Sequence, residues 1–248
     1  MPRVSSIIPT YNAPELVVQA VESALAQTFK DHEIIVVDDG SGPQTREALE
    51  PYIGRIRYVR RENGGPSAAR NNGIREARGG LIAFLDHDDL WYPDKLAAQV
   101  EFMDAHPRCG LSYHVVDYYG AEGRLDFPRR EGPQGDVLAR LFKRIFLITL
   151  SVMCRRECFD EAGYFDENLR FAQDYELWLR MAARFRFGCI DRVLGRYRFH
   201  PGNLSWESEA RRLLEKLRSR RRIYADPAAA GRIPRKLYRR EIASTTFK

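Results

Sequence analysis

Three carboxylates, Asp86, Asp88 and Asp89, follow an apolar run over residues 81–85 and precede the proline-led segment LWYPDKL. Asp86 and Asp88 flank His87. Alternate residues of an extended chain share one side, so both carboxylates can reach one hard cation and the oxygens it carries. Acids so spaced suit Mg²⁺ or Mn²⁺ with phosphate. The same residues would also serve as a polar turn capping the helix after Pro93, and the motif alone does not separate the two readings.

The elements around them narrow the choice. Five apolar residues without polar alternation suit a strand covered on both faces, as in a parallel sheet. The acids then lie at the carboxyl edge, where loops splay apart and open α/β sheets bind ligands. Residues 4–9, VSSIIP, read as a first strand, followed by TYNAPE with Asn12 as N-cap, Pro14 in the first turn and Glu15 three residues on. Leu16, Val17, Ala20, Val21, Ala24 and Leu25 then recur at helical spacing. Residues 33–41 form a second strand ending in Asp38, Asp39 and a glycine turn, and residues 56–61 a shorter third. The turn NGGPSAARNNG leads into a helix bearing Arg70, and residues 81–86 close the series. This alternation predicts a doubly wound, mostly parallel sheet flanked by helices, whose right-handed crossovers make Asp39, Arg70 and Asp86 neighbours on one rim.

Downstream, a helix is expected over 93–106, a strand over 110–119 and a mobile loop over 120–135, where charge, glycine and proline replace periodicity. Tyr175, Leu177, Trp178, Met181 and Ala182 support a helix entered near Gln173 and Asp174. Strands and a loop carrying His200 follow, then a basic helical remainder interrupted at 226–231.

The 248 residues, 44% hydrophobic and 30% charged, allow one substantial α/β core or two small ones. No run approaches the ~20 apolar residues of a membrane span, and the first strand begins too early for a signal peptide, so a cytoplasmic protein is expected. Cys109, Cys154, Cys158 and Cys189 lack CxxC spacing and read as reduced thiols. The net charge of +6 is uneven. Residues 211–248 hold thirteen Lys or Arg against three acids, net +10, leaving −4 for the first 210. There is no P-loop, GxGxxG or GxSxG.

The segments SIIPTYN, VVDDGS, GGPSAARN, FLDHDD, QDYELWLR and YRFH, in this order, resemble the family 2 inverting glycosyltransferases of the GT-A fold over roughly residues 4–205. The resemblance implies a nucleotide-sugar-binding half at 1–110, an acceptor and catalytic half at 111–204 and a basic helical tail at 205–248. It places Pro9, Thr10, Tyr11, Asn12 and Asp39 around the base and ribose of a nucleotide sugar (a UDP-sugar), Arg70 on the pyrophosphate and Asp86 on the ribose, with His87 among the nucleotide-sugar-binding residues. A carboxylate such as Asp39 can accept from the imide N–H of uracil, and Tyr11 offers a stacking face. Asp88 would hold Mn²⁺ or Mg²⁺, joined by His200 as its loop closes, with Asp89 as an outer or capping group and Asp38 structural. Asp174 matches the general base that takes the acceptor hydroxyl proton while diphosphate leaves from the opposite side. One departure stands beside it. Relatives commonly carry Glu-Asp where this chain has Gln173-Asp174, which removes a like charge that would raise the pKa of Asp174.

The implied function is sugar transfer to a carbohydrate or lipid-linked acceptor in cell-surface polysaccharide or glycolipid synthesis. The alternatives are a sugar-1-phosphate nucleotidyltransferase, which the lack of a Gly- and Lys-rich N-terminal loop opposes, and a non-catalytic sugar-nucleotide-binding protein, which an intact Asp88 and Asp174 oppose. No nucleic-acid motif accompanies the basic tail. Leu213, Leu214, Leu217 and Ile223 give its first helix an apolar stripe, which would lie on an anionic leaflet or else pack on the domain or a second subunit.

Overall fold

The computed structural model of the protein describes residues 1–125, 132–200, 202–203 and 208–246. In chain order the first half contains β1 (Val4–Thr10), α1 (Pro14–Leu25), β2 (His32–Asp38), α2 (Pro43–Leu49), β3 (Arg57–Arg60), α3 (Gly65–Glu76), β4 (Leu81–Phe84), β5 (Leu90–Trp91) and α4 (Lys95–Ala105). The second half adds β6 (Cys109–Gly120), β7 (Gly123–Leu125), α5 (Leu138–Lys143), β8 (Met153–Arg155), α6 (Glu157–Ala162), α7 (Gln173–Ala182), β9 (Arg186–Arg198), α8 (Glu209–Ala225) and α9 (Arg235–Thr246).

One mixed sheet runs β3-β2-β1-β4-β8-β6-β9-β5, with β7 paired to β6. The first four strands are parallel, as the unbroken apolar runs predict, and β8 is antiparallel to both β4 and β6. Neighbouring residues of β1 serve opposite faces. Ile7 packs with Ile35, Phe84 and Trp178, whereas Ile8 packs with Val17, Val21 and Val36 of the other layer. Each such fully buried aliphatic contributes about 1.5–3 kcal/mol, and both faces of the strand are covered. Across the first layer Phe165 meets Phe84 and Trp178 edge-on, with centroids 5.6 and 5.8 Å apart, which seats α7 against the centre of the sheet.

Register fixes the rim. Thr10 pairs with Asp38 and Ile7 with Phe84, so the loops after β1, β2 and β4 leave the sheet side by side. Gly73 lets α3 lie close on β1, because a Cβ there would stand 2.5 Å from Ile7 Cγ2, and this close approach carries Arg70 to the same rim.

Several expectations are modified. α1 begins at Pro14 with Ala13 at the N-cap position and no side-chain cap. Asn12 instead adopts φ +48° and uses its side chain elsewhere. The expected loop at 120–135 contains β7, which folds back so that Gly123 pairs with Gly120 and Leu125 with Tyr118, and Gly135 bridges to Phe187. Residues 126–131 of that expected loop lie outside the described residues. The strands expected before His200 are one thirteen-residue strand, β9, whose register against β6 shifts near His114 and Val115.

The basic remainder is built onto the domain. Leu217 and Ile223 of α8 are buried, while Leu214, Arg211, Arg218 and Arg221 face outward. Arg220 is 8% exposed and donates to the carbonyls of Phe142 and Lys143 while pairing with Glu241 of α9. No helix among the described residues is long and apolar enough to cross a membrane.

Candidate active site

A cavity of about 910 Å³ opens along the rim where the loops after β1, β2 and β4 meet α3, the start of α7 and α8. Pro9, Thr10, Tyr11, Asp39, Arg70, Asp86, His87, Asp88, Gln173 and Asp174 line it together. Asn12 does not. Its Oδ1 accepts the Gly42 N–H and its own N–H donates to Ser41 Oγ, both at 2.9 Å, so it ties the first loop to the second and holds its neighbour Tyr11 at the cavity edge, half exposed.

The paired acids after β2 divide their work. Asp38 points into the protein, accepting from the Ser41 N–H and the Tyr58 hydroxyl, as its expected structural part requires. Asp39 lies on the cavity floor and is bound by Arg61 and by the N–H groups of Gly64 and Gly65, the latter at 2.7 Å. These amides open α3, so the carboxylate sits where a helix N-terminus favours negative charge. The intervening Gly40 has φ +84°, and a Cβ there would approach Asn63 N to 2.9 Å, so the turn that brings the two loops together demands glycine.

Arg70 is 5% exposed, rests over the Phe165 ring and pairs with Asp86 through Nη2. Its Nε and Nη1 have no partner among the described residues. A buried guanidinium with half its fork unmet is a ready receptor for phosphate oxygens.

Asp88 Oδ2 lies 2.9 Å from His200 Nε2 and accepts from Asn203 Nδ2 at 3.1 Å. The loop after β9 is thereby folded onto the acids. Asn203 Oδ1 holds the His200 N–H at 2.6 Å, and Asp89 Oδ1 holds the Arg198 N–H at 2.9 Å. Burial, then the charges of Asp88 and Asp86, push the Asp89 carboxyl well above the usual carboxylate range. Among the described residues no group of three or more side chains forms a cage for a metal. One carboxylate and one imidazole beside an unmet guanidinium instead fit a cation shared with phosphate oxygens, the usual mode for Mg²⁺.

Asp174 lies in the first turn of α7, where Oδ1 accepts the Tyr175 N–H at 2.6 Å. Burial raises its pKa, opposed by Arg70 and Lys216 and assisted by Asp86. Gln173 beside it is buried, and its Oε1 has no partner among the described residues. The backbone N–H groups leading into α7 are taken by a residue 43 to 45 positions on. Glu215 accepts from Arg170, Phe171 and Ala172 at 3.0, 2.7 and 2.9 Å. Glu215, with Lys216 and Arg212 on the cavity wall, was not legible in the sequence, where these residues read as one basic helix. Asn203 was visible only as part of HPGNLS.

The model of glycosyl transferase family 2 matches residues 5–166. An uncharacterized glycosyltransferase of Rickettsia conorii is 35% identical over 204 residues, which are 81% of this chain and 33% of that one. The putative teichuronic acid biosynthesis glycosyltransferase TuaG of Bacillus subtilis is 33% identical over 210 residues, 82% of each chain. The chain thus spans a third to somewhat over half of the Rickettsia relatives and most of TuaG. Residues 1–349 of S. aureus TarS in complex with UDP-GlcNAc share the fold at TM-score 0.77 and 21% identity, over 99% of this chain and 72% of that one. The strand order, the acids gathered at one rim and the family match over about two thirds of the sequence agree, and this chain belongs to glycosyl transferase family 2.

Proposed function

We propose that the chain transfers a sugar from a nucleotide-diphosphate donor, a UDP-sugar, to an acceptor hydroxyl with inversion and with the help of Mn²⁺ or Mg²⁺. The observation that carries this reading is one cavity lined by the Arg70–Asp86 pair, by Asp88, to which His200 is bonded from behind the lining, and by Asp174. Tyr11 offers its half-exposed ring to the base, with Thr10 and Asp39 beneath it. Asp174 takes the proton of the acceptor hydroxyl as that oxygen bonds to the anomeric carbon. The carbon–oxygen bond to the diphosphate breaks with its electron pair on the diphosphate, and attack from the opposite face inverts the centre. The unmet Nε–H and Nη1 of Arg70 then face growing negative charge, which a preorganised buried donor stabilises more than water does. A divalent cation held by Asp88 and His200 together with diphosphate oxygens would neutralise part of that charge.

The UDP-GlcNAc complex of TarS supports a UDP-sugar donor, and the teichuronic acid biosynthesis in the name of TuaG supports a part in cell-surface polysaccharide synthesis as our reading of this chain. The acceptor is read as a carbohydrate or lipid-linked saccharide, and the outward arginines of α8 as a peripheral contact with anionic lipid. A thermal-shift screen of nucleotide diphosphates and sugar nucleotides, with and without Mn²⁺, tests the core of this reading. Stabilisation follows RT ln(1 + [L]/Kd), so UDP and one UDP-sugar should raise the melting temperature most, and more with Mn²⁺. A protein indifferent to every nucleotide diphosphate would not be a transferase of this kind.

A further inference from the structure

Asn203 is 5% exposed, and both ends of its amide are engaged. Its Oδ1 accepts the His200 N–H at 2.6 Å, while Nδ2 donates to Asp88 Oδ2 at 3.1 Å and to the Arg198 carbonyl at 3.2 Å. Arg198 is thereby held at both ends, since its own N–H donates to Asp89 Oδ1 at 2.9 Å. One amide joins the chain after β9 to the acids after β4. The bonds to His200 and Arg198 would suffice to shape a turn, but the bond to Asp88, 115 positions away, goes beyond what a turn requires. Asp88 Oδ2 also stands 2.9 Å from His200 Nε2, so both partners from this side fall on the same oxygen. The other oxygen, Oδ1, receives no hydrogen bond among the described residues. Groups that hydrogen-bond a metal-binding side chain fix its orientation, and their loss typically costs about 10–100-fold in metal affinity.

We propose that Asn203 is the positioning residue of the cation site. It fixes Asp88 so that Oδ1 is the oxygen offered to a divalent cation, and it keeps His200 against the same carboxylate. This rests on the reading of Asp88 as the residue that holds Mn²⁺ or Mg²⁺, and it adds a residue that acts through that carboxylate.

The test titrates Mn²⁺ by calorimetry into the full chain with UDP present, for wild type, Asn203→Ala and Asn203→Leu. Leucine keeps the volume of the side chain and removes its polar atoms. Both variants should bind Mn²⁺ about 10–100-fold more weakly, with a much smaller loss of UDP affinity when metal is absent. In an Asp88→Asn background, Asn203→Ala should bring little further loss, because the carboxylate it orients is gone. A second measurement needs no metal or nucleotide. The His200 amide, bonded to Asn203 Oδ1, should exchange its hydrogen about 5-fold or more faster in both variants, while the amides of β1 keep wild-type rates. Mn²⁺ affinity within about 2-fold of wild type in both variants would overturn the proposal, as would losses that simply add to those of Asp88→Asn. Equal loss of UDP affinity with and without metal would reduce Asn203 to a general part of the fold. Unchanged exchange at His200 would show that this segment stands without Asn203. A wild-type chain that binds neither UDP nor Mn²⁺ would sink the transferase reading, and the exchange rates would still judge the clamp.

Discussion

Glu215 Oε2 accepts the N–H of Ala172 at 2.9 Å, and through this bond α8 holds the turn that presents Gln173 and Asp174 to the cavity. Glu215 is 9% exposed and binds three consecutive amides, supplying the cap that the chain near Ala172 lacks, since no side chain caps α7 locally. Hydrogen bonds to a charged group contribute about 1.5–3 kcal/mol when one partner is removed. Glu215→Ala should therefore lower the melting temperature by several degrees, at about 2–4 °C per kcal/mol for a domain of this size. It should also reduce transfer at temperatures well below melting while UDP binding persists. Full transfer by a folded Glu215→Ala protein would show that α7 holds Asp174 in place unaided.

Asp174→Asn should separate binding from turnover. The amide keeps the Tyr175 N–H bond but cannot take a proton, and loss of a general base costs about 10²-fold or more. Stability should move the other way. The folded pKa of Asp174 lies above its unfolded value, so its contribution is complete below the unfolded value and is lost as pH rises through the folded one. Asparagine has no charge to bury, so the variant should melt above wild type at neutral pH, with the difference shrinking as pH falls. The acid limb of the rate profile should likewise be shifted upward from the ordinary carboxylate value. Transfer by Asp174→Asn within a few-fold of wild type would assign the base elsewhere.

Asp88→Asn should weaken UDP binding chiefly when Mn²⁺ is present, because the lost charge faces His200 and the cavity rather than the base. Calorimetry with and without metal reads the difference. Equal weakening in both conditions would move the cation away from Asp88.

The gathering of these residues at one rim was legible in the sequence because parallel strands advertise themselves. The apolar runs of β1, β2 and β4 fix where their carboxyl ends fall, and the residues just past those ends, Tyr11, Asp39, Asp86 and Asp88, share one rim whatever the helices do. Arg70 followed from its place early in α3. The α8 wall was not legible. Leu217 and Ile223 have the spacing of any amphipathic helix, and spacing does not say whether the partner is a leaflet, a second subunit or α7. Only the packed structure shows Glu215 and Arg220 turned inward among basic residues. Asn12 misled for a related reason, since its Asx side chain can cap a helix or bridge two loops, and the Gly42 N–H wins.

The last prediction concerns Lys95, the first residue of α4, which is fully buried. Its ammonium stands over the Trp91 ring, 3.8 Å from the centroid, with no hydrogen-bond partner among the described residues. Two histidines, His32 and His114, and the Cys154 thiol are the titratable groups that share its electrostatic surroundings. Burial, assisted by Lys95, pushes His114 down to about 3, so His114 is neutral and donates from Nδ1 to the Val115 carbonyl. Lys95 itself is held well below the usual lysine range by burial. A depressed lysine pKa means that the unfolded chain binds the proton more readily, so stability rises with pH between the folded and unfolded values and the penalty is largest below both. Methionine has similar length, keeps the contact with Trp91 and has no charge to bury. Lys95→Met should accordingly raise the melting temperature at pH 7, by about 2–4 °C for each kcal/mol of penalty removed, and the gain should diminish as pH approaches the ordinary lysine value. Melting curves collected from neutral to alkaline pH would check both parts. A variant that melts lower than wild type throughout would mean that the cation–π contact outweighs desolvation at this site, and that the buried charge helps to hold α4 against the sheet.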